Sequence, residues 1–120
     1  LMAPSGLLDE MDEALMVPAN CVSGCGPAFA SLFMEALADG AVACGLPRDK
    51  AMVCAAQMLV GTGKLYLENR KHPGAMKDAV CSPGGTTIQG VRTLEKNGFR
   101  SAAMEAVIAA YEKTMEMQKK

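Results

Sequence analysis

Residues 26–47, GPAFASLFMEALADGAVACGLP, decide the fold class because they carry a helix between a start signal and a stop signal. Pro27 fits the first turn of a helix, where its missing N–H costs little, and Gly45 favours a helix end. Only Glu35 and Asp39 are charged, and apolar side chains spread around most of the cylinder. A helix this apolar is predicted to be buried on more than one side, in a core or a subunit interface.

The rest of the chain shows further helical signals and no alternating strand pattern of useful length. We therefore predict an all-α fold, a helical bundle in a single domain. The other predicted helices cover residues 13–20 capped by Asp12, about 47–68, a short stretch from Pro73, about 87–96, and the residues after an Asn97-Gly98 stop.

Residues 51–63, AMVCAAQMLVGTG, form the centre of the third predicted helix and carry no charge. Gly61 and Gly63 each cost a helix interior about 1 kcal/mol relative to alanine. We expect another helix to approach closely at these two positions.

The composition is typical of one domain built from small and flexible side chains. Among 120 residues, 50% are hydrophobic, yet there are only two Tyr, three Phe and no Trp, against ten Met. Such side chains suit closely packed helices, within one chain or between chains. A formal net charge of −1 without any basic block excludes nucleic acid as an expected partner.

The cysteines indicate a reducing compartment and no metal site. All five are spaced irregularly without a Cys-x-x-Cys pair, and His72 is the only histidine. We expect each thiol to be a small core side chain and the protein to be cytoplasmic.

No membrane span is expected, because prolines, glycines and Asn20 break the charge-free stretch at residues 15–34. The start at Leu1 lacks the basic-then-apolar pattern of a signal peptide, and we expect a soluble protein. Leu1 in place of an initiator Met suggests a part of a longer protein.

The segment SPGGTT, residues 82–87, lies directly before a predicted helix and has two alternative explanations. The first is structural: Ser-Pro-Gly-Gly is a good turn, and Thr86 with Gln89 fits a capping box. The second is an anion site, in which the free N–H groups and the positive end of the helix attract a carboxylate or phosphate. Glycines would let the backbone approach that ligand, and threonine hydroxyls would donate to it.

Three separate motifs carry a family resemblance: VSGCGPAF at residues 22–29, EALADGAVACGLPRDKA at 35–51 and HPGAMKDAVCSPGGTTIQGVRTLEKNGFRSA at 72–102. Together they resemble the C-terminal helical domain of pyrroline-5-carboxylate reductase, over residues 9–117. The resemblance implies an oxidoreductase of proline biosynthesis, which reduces 1-pyrroline-5-carboxylate to L-proline with NADPH or NADH.

The resemblance also implies an architecture in which residues 1–120 are the dimerisation and substrate-binding domain. In the family, its helices interleave with those of a partner, and some members assemble such dimers into decamers. The N-terminal dinucleotide-binding domain, which holds most of the cofactor, is absent from this sequence: no GxGxxG follows a strand. We therefore expect a homodimer that is inactive as an isolated fragment.

For the substrate, the resemblance implies that the SPGGTT segment binds the carboxylate through its amides. Thr87 is the candidate catalytic residue, with a role in orientation and hydrogen bonding near the ring, because a threonine hydroxyl is a poor acid. The implied substrate-binding residues are Ser82, Gly84, Gly85, Thr86 and Thr87.

SGCGPA at residues 23–28 resembles the family's SGSGPA, at a helix start that faces the nicotinamide end of the cofactor. Ser23 and Cys25 are therefore the candidate cofactor-binding residues in this chain. Cys25 stands where the family has serine and donates only weakly. The alternative to a cofactor contact is that the small residues Ser23, Gly24 and Gly26 allow another helix to pack closely.

The family pattern is broken before His72. Family members often carry a glutamate there, near the partner subunit's active site, whereas this chain has Arg70 and Lys71. That contact is not implied here. We expect His72 to be a turn residue. Lys77 and Asp78 either shape the loop or pair with neighbouring residues.

Two other functions stay open from the sequence. One is an oligomerisation module without catalytic competence as an isolated fragment. The other is a related imine or hydroxyacid reductase, which would not be expected to carry the SPGGTT segment.

Overall fold

The computed structural model describes residues 12–119, and every regular element within that range is an α-helix. The all-α prediction is confirmed. The helices are, in chain order, α1 (Glu13–Ser23), α2 (Gly26–Ala43), α3 (Arg48–Asn69), α4 (Pro73–Ala79), α5 (Thr86–Lys96) and α6 (Phe99–Gln118).

The first helix begins at Glu13 as predicted but ends three residues later than predicted. Asp12 occupies the N-cap position, but its side chain makes no capping hydrogen bond, and its backbone carbonyl accepts from the Leu15 N–H at 2.9 Å instead. The helix continues through Pro18 to Ser23. Cys21, which is only 2% exposed, lies in this extension, and its burial favours helix where the local signals predicted an end.

The turn between α2 and α3 forms where Gly45 predicts it. Gly45 has φ +107°, a left-handed conformation that glycine adopts without strain. The Leu46 N–H donates to the Ala41 carbonyl at 3.0 Å, as in a Schellman C-cap. Across this turn the guanidinium of Arg48 pairs with the carboxylate of Asp39.

The chain divides into two compact units. One comprises Leu32–Phe99, and the other comprises the residues up to Ser31 together with those from Arg100 onwards. The first unit has a core of small side chains, with Ala38, Ala51 and Ala55 at 0%, 1% and 6% exposure. Alanine at these positions lets helix backbones approach closely.

Large apolar side chains remain exposed on several helices. Among those more than half exposed are Leu32, Val53, Val60 and Leu67. The expected helix at Gly61 and Gly63 is not found within the described residues, because a Cβ atom added at either glycine would meet nothing within 4 Å. The prediction of a close approach there is therefore wrong for the single chain.

Residues Glu13–Ala43 form a helical stretch that is long and apolar enough, by length and composition, to cross a membrane. A core helix of a soluble protein can pass the same test, so this finding is weak evidence for a span. A turn at Gly24 and Cys25 separates α1 from α2 within the stretch. The expected absence of a membrane span stays a prediction.

Candidate functional site

The site is built from α4, the SPGGTT segment and the start of α5, all within the Leu32–Phe99 unit. His72 occupies the N-cap of α4, and its Nδ1 accepts a hydrogen bond from the Gly74 N–H at 2.9 Å. Pro73 follows at the first helical position, where its fixed φ suits a helix. His72 is thus a helix cap, a role that the expectation of a turn residue missed.

The end of α4 leads directly into the SPGGTT segment. The Val80 N–H donates to the Lys77 carbonyl and the Cys81 N–H to the Asp78 carbonyl, each at 3.1 Å. The side chains of Lys77 and Asp78 also form an ion pair at 3.0 Å. The backbone carbonyls of these two residues thus hold the start of the segment. A role of their side chains in the site stays a prediction.

The SPGGTT segment opens with a β-turn. The Gly85 N–H donates to the Ser82 carbonyl at 3.0 Å, with Pro83 and Gly84 at the two central positions. Gly84 has φ +70°, so the turn is of type II, which requires a positive φ at its third residue. Proline at the second position and glycine at the third are the residues that this turn favours.

Gly85 holds the turn against the start of α5. It is the N-cap residue, and a Cβ atom added to it would contact the Ser82 hydroxyl and lie 3.3 Å from the Ser82 carbonyl oxygen. Both glycines of the segment therefore have a structural reason within the chain. If these glycines also let a ligand approach the backbone, that role is additional to forming the turn.

The predicted capping box is absent, because α5 begins at Thr86, one position earlier than expected. The N-cap is Gly85, and no side chain caps this end. The N–H groups of Thr86, Thr87 and Ile88 accordingly have no backbone acceptor among residues 12–119. With no acidic residue in the first turn, the positive end of α5 is open to an anion.

The two threonines of the segment present their side chains to solvent. Thr86 and Thr87 are both exposed, and neither hydroxyl has a hydrogen-bond partner within the described chain. Thr93, on the same helix, differs because its hydroxyl donates to the Gln89 carbonyl at 2.9 Å. Thr87 therefore keeps both its donor and its acceptor capacity for a ligand.

Ser23 and Cys25 lie in the other unit, at the junction of α1 and α2. The Ser23 hydroxyl donates to the Ala19 carbonyl at 3.1 Å, and Cys25 is half-buried. An added Cβ at Gly24 would lie 2.6 Å from Oδ1 and 2.9 Å from the carbonyl oxygen of Asn20, so the nearest neighbours of this glycine belong to α1 itself. Gly26 has open space around it, so packing within the described chain does not explain that glycine.

Arg70, two positions before His72, where the family pattern is broken, has a structural role. It is the C-cap of α3 with a left-handed φ of 54°, and its N–H donates to the Tyr66 carbonyl. Its Nε donates to the Leu67 carbonyl at 3.2 Å. These bonds satisfy carbonyl groups that the end of a helix otherwise leaves free.

The five cysteines differ in burial. All five cysteines are free, but only Cys21 is buried, while Cys44 and Cys54 are exposed. The expectation that every thiol belongs to the core is therefore wrong. Residues 12–119 contain no group of three His, Cys, Asp or Glu side chains that could hold a metal ion.

A family model for pyrroline-5-carboxylate reductase dimerisation matches residues 13–117. The chain belongs to this family. The sequence is similar to pyrroline-5-carboxylate reductases of Synechocystis sp., at 53% identity over 96% of this chain and 43% of the relative, and of Escherichia coli, at 47% over 95% and 42%. The chain thus spans less than half of the length of these relatives.

Solved structures of the family have the same fold. The structure is similar to Plasmodium falciparum pyrroline carboxylate reductase with NADP bound, with a TM-score of 0.83 and 38% identity over 89% of this chain and 41% of that one. A Streptococcus pyogenes 1-pyrroline-5-carboxylate reductase gives a TM-score of 0.82 at 32% identity, over 87% of this chain and 40% of that one.

Proposed function

We propose that this chain is the substrate-binding and dimerising half of an enzyme that reduces 1-pyrroline-5-carboxylate to L-proline with NADPH or NADH. Family membership over residues 13–117 supports the reaction class. Substrate binding is supported by the uncapped start of α5. Three N–H groups there have no acceptor within the described residues, and they directly follow the type II turn at Ser82. Such a helix start is suited to a carboxylate.

The substrate is a cyclic imine whose carboxylate is attached to the saturated ring carbon next to the imine nitrogen. We assign carboxylate binding to the amides of the SPGGTT segment, with the hydroxyl of Thr87 as an additional donor. By donating to the carboxylate, Thr87 would orient the ring. Solvent or an already protonated imine would supply the proton on nitrogen, because a threonine hydroxyl is a poor acid. Holding the carboxylate fixes the position of the imine carbon that is reduced.

The nicotinamide supplies the hydride, and a domain outside this chain would hold most of the cofactor. Residues 12–119 contain no strand followed by a glycine-rich turn and a helix, which is the arrangement that binds a dinucleotide pyrophosphate. Within this chain, Ser23 and Cys25 are the residues that we assign to the nicotinamide end. The half-buried Cys25 thiol is available for only a weak contact.

A homodimer is the assembly that the exposed surface supports. Large apolar side chains, among them Leu32, Val53 and Val60, are more than half exposed in the single chain. A second copy packed on these side chains and on Gly61 and Gly63 would cover them. A decamer built from five such dimers is the larger assembly implied for some family members, and sedimentation of the full-length protein would detect it.

We place the protein in the cytoplasm, free of membrane and of nucleic acid. All five cysteines are free, as suits a reducing compartment. The net charge of −1 gives no attraction to a polyanion or an anionic lipid surface.

One alternative applies to the chain by itself. Because the chain covers only 43% of the Synechocystis relative, the isolated 120 residues would act as an oligomerisation module without turnover. A related imine or hydroxyacid reductase is the less favoured reading, since the relatives described above carry the pyrroline-5-carboxylate reductase name.

The proposed function is tested by NADPH or NADH oxidation in the presence of 1-pyrroline-5-carboxylate, with L-proline measured as the product. The full-length protein should turn over, and the isolated chain should not. Turnover of another imine or a keto acid in place of this substrate would show that the proposed substrate is wrong.

A further inference from the structure

The helix that precedes the SPGGTT segment has a histidine at its N-cap. α4 spans only Pro73–Ala79, and a helix of two turns has little stability of its own. At its start, Nδ1 of His72 accepts from the Gly74 N–H at 2.9 Å, and the His72 carbonyl accepts from Ala75 and Met76 at 2.9 and 3.1 Å. His72 thus satisfies N–H groups that an uncapped start would leave free.

The neighbouring glycine keeps room for this contact. A Cβ atom added at Gly74 would lie 3.0 Å from Nδ1 of His72 and 3.3 Å from its Cε1, which is closer than ordinary packing. Nδ1 must be unprotonated to accept the bond, so the ring carries its proton on Nε2. The His-Pro-Gly sequence therefore encodes a specific cap.

The far end of α4 sets the start of the SPGGTT segment. The N–H groups of Val80 and Cys81 are held by the carbonyls of Lys77 and Asp78, in the last turn of the helix. Ser82 follows at once and begins the type II turn. A displacement or fraying of α4 would therefore move the residue from which the turn is built.

We propose that His72 is a positioning residue for the SPGGTT segment, acting through α4. The inference rests on the proposed function, in that the segment binds the substrate carboxylate. If the cap is lost, α4 frays from its start and the arrangement that binds the carboxylate is populated for less of the time. The apparent affinity then falls by the same fraction, while the chemistry of the bound substrate is unchanged.

The test uses two variants of His72 in the full-length protein. His72→Phe keeps an aromatic ring but has no acceptor, whereas His72→Asn restores an acceptor of the type that N-caps prefer. For His72→Phe we expect KM for 1-pyrroline-5-carboxylate to rise by about three- to fivefold, with kcat within about twofold of wild type. For His72→Asn we expect wild-type KM and kcat.

Amide hydrogen exchange of residues 79–82 gives a second readout that does not require turnover. Exchange should become faster in His72→Phe and return to the wild-type rate in His72→Asn. Ala109→Gly is the matched control. Ala109 is exposed on α6, far along the chain from α4, and glycine there should lower the melting temperature because of its poor helix propensity. The control should keep the wild-type KM and the wild-type exchange at residues 79–82.

Three results would overturn the inference: equal KM in the two His72 variants, a lower melting temperature in His72→Phe with unchanged KM, or the same exchange at residues 79–82 in all variants. A different outcome would concern the proposed function alone. If the wild-type protein does not reduce 1-pyrroline-5-carboxylate, but amide exchange at residues 79–82 is faster in His72→Phe than in wild type and His72→Asn, the proposed function fails. The structural coupling of His72 to the segment then stands.

Discussion

Replacing Thr87 with alanine separates a ligand contact from a structural role of the same side chain. Thr87 is the second residue of α5, is exposed, and has no hydrogen-bond partner for its hydroxyl within residues 12–119. Gly85 occupies the N-cap, so Thr87 does not cap the helix. The substitution should therefore not lower the free energy of unfolding, and alanine's higher helix propensity could raise it by up to about 0.7 kcal/mol.

The kinetic effect should be much larger than the effect on stability. A hydrogen bond to a charged group contributes about 1.5–3 kcal/mol. The substrate carboxylate would lose that amount of binding energy in the variant, which has no Thr87 hydroxyl. Since about 1.4 kcal/mol corresponds to a factor of ten, kcat/KM of the full-length protein should fall by roughly one to two orders of magnitude. Steady-state oxidation of NADPH and a thermal melt on the same preparation measure both quantities.

Thr93→Ala is the matched control on the same helix. The Thr93 hydroxyl is already bonded to the Gln89 carbonyl, and we expect kcat/KM for this variant to equal that of wild type. Wild-type kcat/KM in Thr87→Ala, or an equal loss in Thr93→Ala, would refute the reasoning about the segment.

Three further predictions follow from the backbone, the core and the surface. Gly84→Ala should lower stability by about 1–2 kcal/mol in a denaturant titration, because Gly84 has a left-handed φ. The control Gly90→Ala lies inside α5 with no atom near the added Cβ, and it should raise stability by about 0.5–1 kcal/mol. Ala38→Leu should cost about 1–3 kcal/mol at a fully buried position, and exposed Ala36→Leu in the same helix should be nearly neutral in the same titration. The chain should sediment as a dimer at micromolar concentration, and a species of 12.6 kDa would contradict the proposed assembly.

The helix boundaries could be predicted from the sequence because the residues that end helices act locally. Gly45 and Gly98 adopt left-handed conformations where stops were expected, and Pro73 begins α4. The start of α5 was misplaced by one residue because a threonine pair suggested a capping box. Gly85 takes the N-cap instead, since the type II turn at Ser82 places its backbone there.

Features that depend on contacts between distant residues or between chains could not be predicted in the same way. Gly61 and Gly63 indicated a close neighbour, but a sequence pattern does not say whether that neighbour belongs to the same chain. Cys44 and Cys54 are exposed because the core of the single chain is small. The cap at His72 was missed because histidine is not among the usual N-cap residues.

Steady-state kinetics also test the role of Gly85 in the turn before α5. An added side chain would press on the Ser82 hydroxyl and carbonyl, and so would disturb the turn from which the free N–H groups project. Gly85→Val should therefore reduce kcat/KM for 1-pyrroline-5-carboxylate by more than Thr87→Ala does.

The central claim, that the SPGGTT segment recognises the substrate carboxylate, is tested most directly by a substrate without that group. We propose to measure kcat/KM for 1-pyrroline-5-carboxylate and for 1-pyrroline in wild type and in Thr87→Ala. We expect the variant to lose roughly one to two orders of magnitude in kcat/KM with the carboxylated substrate and to stay within about twofold of wild type with 1-pyrroline. An equal loss with both substrates would contradict the claim.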